Sequence, residues 1–448
     1  MNTEKPSMTK KAGRYASLSG SATNLALKLA GERFLGIKID KNLHSEDLKR
    51  VLGNLKGPIM KVGQILATIP DALPPEYAKA FAELQSNAPP MGWPFVRRRM
   101  KAELGAEWQS HFQDFPQNAA AAASLGQVHK AVTTDGLTVA CKLQYPDMAS
   151  AIDADLNQLK LLLKIYKQYD DSIMTDAIQQ ELADRLREEL DYKREARVQK
   201  LYAHLLRDEP NVHIPEVIDD LSTDRLLTTT WVDGQKVLDF KDAPLETRNQ
   251  IALNLFRAWY IPLYKTGIIH GDPHLGNYTV RDDYSINLLD FGCIRIFPPE
   301  FVGAVIDLYN ALKTNDEELA ITAYKTWGFG ELSKEMIEVL NIWAGFLYGP
   351  ILDDTVRTIG ETNNGVYGRE KAREVHTKLR ELRQGVPVPR EFVFMDRAAL
   401  GLGSVFIHLQ SEINWHTLFN EMIEGFSVAS LRKAQNDILP KFDLEPAS

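Results

Sequence analysis

His270-Gly271-Asp272-Pro273-His274-Leu275-Gly276-Asn277, followed by Leu288-Leu289-Asp290-Phe291-Gly292, decides the reading of this chain. Between the two stretches, Tyr278-Thr279-Val280, Arg281-Asp282-Asp283-Tyr284-Ser285 and Ile286-Asn287-Leu288-Leu289 predict strand, turn and strand. That hairpin sets Asn277 beside Asp290. Two carboxylates and an amide at this spacing suit a magnesium-bound nucleoside triphosphate and an acceptor held against it. Asp290 is expected to bind Mg²⁺, a hard cation that prefers oxygen ligands and keeps waters and phosphates in its shell. Asn277 is expected to hold a second metal position through its amide oxygen, and Asp272 to accept or orient the proton of the attacking hydroxyl.

The rest of the composition narrows the class. At 448 residues the chain can bury a large core and form two or three lobes. Hydrophobic content of 44% and charged content of 25% describe an ordinary globular protein. The net charge of -8 argues against nucleic-acid binding, which needs a dense basic face. The two cysteines, Cys141 and Cys293, form no CxxC pair, so neither a zinc cluster nor a disulfide framework is expected, and a reducing compartment fits. Met1–Ser19 lacks the apolar run of a secretory signal. No stretch reaches the roughly 20 apolar residues of a membrane span. Leu340–Leu352 comes nearest, and Gly345, Gly349 and Pro350 mark it as core helix or loop. A cytoplasmic location is expected. Lys5, Lys10, Lys11 and Arg14 ahead of Leu25, Leu27 and Leu29 also allow peripheral contact with an anionic membrane face.

Periodicity divides the chain into residues 1–44, a basic start and first helix; 45–110, a helical extension; 111–232, a mainly β lobe; and 233–448, a helical lobe with the catalytic hairpin. Trp93–Leu104 reads as helix, Phe112–Tyr145 as strands with a turn at Thr134-Asp135-Gly136, and Ile152 to about Arg207 as helical and heavily charged. The order is that of an α+β, two-lobed protein-kinase-like fold with an added N-terminal helical extension.

Protein kinases carry H-R-D-x-x-x-x-N and D-F-G at the spacing of Asp272, Asn277 and Asp290. Leu137-Thr138-Val139-Ala140-Cys141-Lys142-Leu143 resembles their V-A-I-K strand, and alternation turns Lys142 to the face opposite Cys141. There its ammonium serves as a point charge for the α- and β-phosphates of ATP. An acidic partner for Lys142 is expected within Glu188-Glu189-Leu190-Asp191-Tyr192-Lys193-Arg194-Glu195, and helical spacing alone does not select it. A Gly-rich phosphate loop is missing. Ala119–Ala123 and Ser124-Leu125-Gly126-Gln127-Val128-His129 take its place, and alanine resists the positive φ angles that glycine accepts. Only Cys293–Phe297 separate Asp290-Phe291-Gly292 from Pro298-Pro299-Glu300, and Gly271 stands where H-R-D has arginine. Both departures argue against an ordinary protein kinase.

Taken together these residues resemble the UbiB family of atypical kinases, also called the AarF or ADCK group, over about Asp47 to Glu300. Lys61-Val62-Gly63-Gln64 matches its K-x-G-Q, Ala121-Ala122-Ala123-Ser124 its alanine-rich loop, and Glu189-Leu190-Asp191 its E-x-D. The resemblance implies that Lys61 and Gln64 cover the active site and that Lys61 meets Glu189 and Asp191. It also implies that Glu195 partners Lys142 and that Ala121, Ala122, Ala123 and Ser124 border the nucleotide. The implied activity is an ATP- and Mg²⁺-dependent phosphotransferase or ATPase in lipid or isoprenoid-quinone (ubiquinone) metabolism. Two other expectations compete. One is a small-molecule kinase of the aminoglycoside or choline type, which shares H-G-D-x-x-x-x-N. The other is a nucleotide-binding pseudokinase acting as a lipid chaperone.

Overall fold

Alternating burial over two neighbouring strands organises the first part of the chain. The computed structural model describes residues 91–122, 125–146, 148, 186–272, 275–359 and 389–446. Lys61, Gln64, Ala123 and Ser124, residues 45–90 of the expected helical extension, and residues 152–185 of the charged stretch lie outside the described residues. Contacts divide the chain into two compact units, Met1–Gly136 with Ala140–Leu190, and Leu137–Val139 with Asp191–Ser448. The division falls at Leu190–Asp191, whereas periodicity carried the β-rich lobe on to residue 232.

In the first unit, α1 (Trp93–Leu104) has the bounds its periodicity predicts, with proline in its first turn and Gly105 (φ +88°) ending it. It buries Phe95, Val96, Arg99 and Met100. Arg99 is tolerated inside because Nε donates to Gln144 O (3.1 Å) and Nη1 meets Glu103 (3.2 Å). Strands β1 (Phe112–Asp114), β2 (Ala121–Ala122) and β3 (Gly126–Thr133) are antiparallel neighbours, with Ala121 opposite Val128 and Ala122 opposite Gln127. The alanine run is therefore partly extended and exposed: too short to nucleate a helix, it pairs with a strand instead. The turn at Thr134-Asp135-Gly136 leads to β4 (Thr138–Gln144), where Val139, Cys141 and Leu143 are fully buried while Thr138, Ala140 and Lys142 are half-buried. Lys142 thus lies on the face that alternation assigns it.

At the start of the second unit, the charged stretch expected to be helical up to about Arg207 is interrupted by a turn at Glu189–Leu190, and α2 (Tyr192–Leu205) starts after it. The cause is Asp191, an N-cap whose carboxylate accepts from Arg194 N at 2.8 Å. Asp191 and Glu195 stay one turn apart, Glu195 N donating to Asp191 O at 2.9 Å. Next come β5 (Val212–His213), β6 (Leu226–Thr230), β7 (Gln235–Lys236) and the long α3 (Leu245–Thr266). Gly267 closes α3 in the left-handed region (φ +68°), its N–H on Leu263 O. No other residue fits, since a Cβ there would lie 3.0 Å from Phe297 O and would collide with Gln435. The buried Gln435 amide ties the same place together, donating to Thr266 O (2.9 Å) and Phe297 O (2.8 Å).

From this anchor run β8 (Ile268–His270), β9 (Tyr278–Val280), β10 (Ile286–Leu288) and β11 (Ile294–Ile296). β9 and β10 form the expected hairpin, Ile286 opposite Val280 and Leu288 opposite Tyr278. β11 pairs with β8, Ile294 opposite His270. Helices α4 (Pro299–Thr314), α5 (Glu317–Thr326), α6 (Lys334–Leu352), α7 (Arg390–Leu409), α8 (Trp415–Ile423) and α9 (Val428–Ile438) complete the unit around one apolar core that includes Trp259, Tyr278, Phe291 and Tyr309. Glu300, in the first turn of α4, pairs with Arg432 of α9. Leu340–Leu352 is the second half of α6, and among the described residues no helix is long and apolar enough to cross a membrane.

One buried polar network in the first unit couples folding to the protonation of a histidine. Gln127 Oε1 accepts from Met91 N (2.7 Å), and its Nε2 donates to Met91 O (3.2 Å) and to His129 Nε2 (2.9 Å). His129 Nδ1 donates to Pro116 O (3.0 Å), and the ring stacks on Phe115. This pattern needs a neutral imidazole, and burial lowers the His129 pKa from its ordinary 6.5, outweighing the bond to Pro116. The unfolded chain therefore takes up this proton first, and stability held above pH 6.5 drains away as pH falls below it. Urea midpoints measured across this range should drop on acidification, with a shallower drop in His129→Gln. An identical pH slope in both proteins would contradict the assignment.

Candidate active site

A single imidazole joins the two chain segments that carry the carboxylates. His270 ends β8 and is buried in an aromatic cage, with Trp259 at 5.6 Å, Phe291 at 6.2 Å, Tyr278 at 6.3 Å and Tyr202 at 6.5 Å between ring centroids. Its Nδ1 accepts from Asp272 N at 3.2 Å, which leaves Nε2 as the protonated nitrogen, donating to Asp290 O at 2.5 Å. The ring thus fixes the backbone of both aspartates at once. Losing it would strand two backbone groups, at about 1–3 kcal/mol for each that stays buried.

Asn277 closes the third side. Its Nδ2 donates to Asp272 O (3.2 Å), and its own carbonyl accepts from Leu289 N (3.0 Å), next to Asp290. Asp290 Oδ1 accepts from Gly292 N at 2.9 Å, which orients the carboxylate. The structure therefore gathers Asp272, Asn277 and Asp290 at one end of the hairpin. Their proximity registers on Tyr278. Burial first, then the carboxylate of Asp272 and more weakly that of Asp290, push its phenol well above the usual tyrosine range, although the Trp259 Nε1 bond to its oxygen (2.7 Å) opposes this. Asn277 and Asp290 offer neutral and anionic oxygen donors from two strand ends, a donor set that fits Mg²⁺ with phosphate and water filling the other positions.

Gly271 explains the missing arginine. Its N–H donates to Cys293 O at 2.6 Å, and a Cβ at this position would lie 3.0 Å from that oxygen and 3.1 Å from the Cys293 sulfur. Cys293, just ahead of β11, packs so closely on this turn that an added side chain would have to push it aside by a few tenths of an ångström. Lys142 is half-buried on β4, Ala121 and Ala122 are exposed on β2, Glu189 is half-buried in the turn before α2, and Glu195 is buried in the first turn of α2. The H-G-D triplet by itself assigns no structural task to His270 or Gly271. The signal was present in the H-G-D triplet; the acceptor on Asp290, twenty residues away, was not.

The sequence profile of the ABC1 atypical kinase-like domain matches residues 83–324, more than half of the chain. The mitochondrial atypical kinase coq-8 of Caenorhabditis elegans is 29% identical over 426 residues, covering 88% of this chain and 54% of the relative. The mitochondrial atypical kinase COQ8 of Saccharomyces cerevisiae is 32% identical over 299 residues, covering 64% and 59%. The chain thus spans a little over half the length of these curated relatives. A Mycobacterium tuberculosis protein, solved in complex with erythromycin, superimposes with a TM-score of 0.58 at 25% identity, covering 92% of this chain and 98% of that one. The kinase-like α+β fold and the motifs around His270 and Asp290 have one common explanation: the chain belongs to the ABC1 atypical kinase-like family, the UbiB/COQ8/ADCK group.

Proposed function

We propose that this atypical kinase binds Mg²⁺-ATP and transfers or hydrolyses the terminal phosphoryl group. The observation that carries the reading is the double hydrogen bond of His270, which holds Asp272 and Asp290 in fixed relation. Positioning and electrostatics supply most of the rate in phosphoryl transfer, so a rigid mount for these two carboxylates is what the chemistry requires. Asn277 and Asp290 would hold Mg²⁺, which when bound neutralises charge on the phosphate oxygens. Asp272 takes or orients the proton of the attacking hydroxyl or water, while His270 keeps its backbone in place. Lys142 binds phosphate as a point charge and Glu195 steadies it. Ala121, Ala122, Ala123 and Ser124 border the nucleotide. Lys61 and Gln64, with Glu189 and Asp191, cover the site against protein substrates.

We infer that the acceptor is a lipid or an isoprenoid-quinone precursor and that the protein works peripherally at a membrane face. Supporting this are the four UbiB-type motifs and the relatives named mitochondrial atypical kinases. ATP hydrolysis should rise with anionic liposomes and quinone-like phenols. Transfer to a soluble aminoalcohol instead would favour a choline-type kinase.

In calorimetry, Asp290→Asn is expected to lose Mg²⁺-dependent ATP binding, whereas Asp272→Asn keeps binding and loses about 10²–10⁴-fold in turnover. Equal ATP affinity in wild type and Asp290→Asn would remove the metal assignment. Gly271→Ala should push Cys293 aside, lower Tm and, through a misplaced Asp272, cut kcat by about 10²-fold. Wild-type melting and turnover in that variant would refute the close packing against Cys293.

A further inference from the structure

Two arginines of the second unit share one carbonyl, and a third lies one helical turn from the first. Arg194 and Arg197 lie one turn apart on α2, and Arg295 lies on β11. Arg194 Nη2 donates to Ile294 O at 3.4 Å, and Arg295 Nη1 donates to the same oxygen at 3.0 Å. Two guanidinium groups that share an acceptor are close enough for one tetrahedral anion to bridge them. The Arg295 Cγ passes 3.8 Å from the Cβ position of Gly271, so the cluster borders the turn that carries Asp272.

Cations this close repel unless an anion neutralises them. Among the described residues, Arg194 and Arg197 form no ion pair. Arg194 Nη1 and Arg197 Nε are shut away from solvent with no hydrogen-bond partner, although buried donors are nearly always satisfied. Acidic residues are not scarce: the chain has 60 against 52 basic ones. The two lysines of α2 are paired, Lys193 with Asp224 (2.7 Å) and Lys200 with Asp219 (2.6 Å). Asp191, in the preceding turn, gives its carboxylate to the backbone of Arg194, not to the guanidinium. The two arginines of the same helix are thus left over, with donors already turned inward. All three side chains are only half-buried, so one side of the cluster opens outward.

We propose that Arg194, Arg197 and Arg295 form a binding pocket for a phosphate group, apart from the Mg²⁺-ATP positions at Asn277 and Asp290. Planar guanidinium forks match phosphate oxygens bidentately, and a dianion with several oxygens engages forks arriving from α2 and β11 together. A carboxylate has two oxygens and saturates one fork. The phosphate comes either from solution or from the headgroup of an anionic lipid. The inference does not rest on the nucleotide reading.

The test titrates the full chain with inorganic phosphate, free of nucleotide and Mg²⁺, at constant ionic strength. Saturable binding is expected, weakened about tenfold or more in Arg194→Gln and in Arg197→Gln, as for loss of a charge-assisted hydrogen bond. Arg194→Lys should recover only part of the affinity, since it restores charge without the fork. Asp290→Asn should bind phosphate like wild type, which separates failure here from failure of the nucleotide assignment. Should the glutamine variants not fold, wild-type Tm must still rise with phosphate and not with equal chloride. Cosedimentation with phosphatidylcholine vesicles, with and without phosphatidate, identifies the source. A preference for phosphatidate that vanishes in Arg197→Gln or Arg197→Lys points to a lipid headgroup, and phosphate binding without that preference points to a soluble anion. Absence of saturable phosphate binding in wild type, or unchanged affinity in folded arginine variants, overturns the pocket.

Discussion

The second unit depends on the two hydrogen bonds of His270. One ring nitrogen accepts from the peptide of Asp272 and the other donates to the peptide of Asp290, so two loops distant in sequence share one rigid reference point. Trp259, Tyr202, Tyr278 and Phe291 surround the ring and keep water from competing for those bonds. Trp259 also binds the Tyr278 hydroxyl, which ties the floor of the cage to the first strand of the hairpin. Apolar packing and catalytic geometry are here one construction: the core that stabilises the unit also aims its carboxylates.

Two glycines let backbones come close enough for that construction. Gly267 turns the chain out of α3 in a left-handed conformation, against Phe297 and Gln435. Gly271 then passes against Cys293 with a peptide hydrogen bond and too tight a gap to take a methyl group without a shift of its neighbour. The short ribbon of β8 and β11 spans the interval between them, Ile296 opposite Ile268 and Ile294 opposite His270. The basic cluster at Arg295 grows out of the same ribbon, on the strand that follows Cys293.

Much of this was legible in the amino-acid order, and its limits have physical causes. Period-two alternation gave Lys142 its face, turn residues gave the hairpin from Tyr278 to Leu288, and a proline in the first turn with a glycine at the end bounded Trp93–Leu104. Local signals sufficed there because the structures themselves are local. Helical periodicity overran Glu189–Leu190, because the charge pattern continues through the turn and only the capping bond of Asp191 marks the restart. The alanine run defeated propensity, because pairing with β3 outweighs the weak helical preference of so short a segment. Asp272, Asn277 and Asp290 could be picked from spacing. The clamp on Asp290 and the meeting of Arg194 with Arg295 could not, because each joins residues whose separation along the chain carries no periodic signal.

β11 follows Gly292 almost at once and is hydrogen-bonded to β8 along its length. A longer segment at this place could swing in and out as a switch. Here it is a rung of the scaffold, and displacing it would break the ladder that seats His270. The hairpin of β9 and β10 and the ribbon of β8 and β11 therefore hold Asp272, Asn277 and Asp290 on one hydrogen-bonded frame with little slack between its parts.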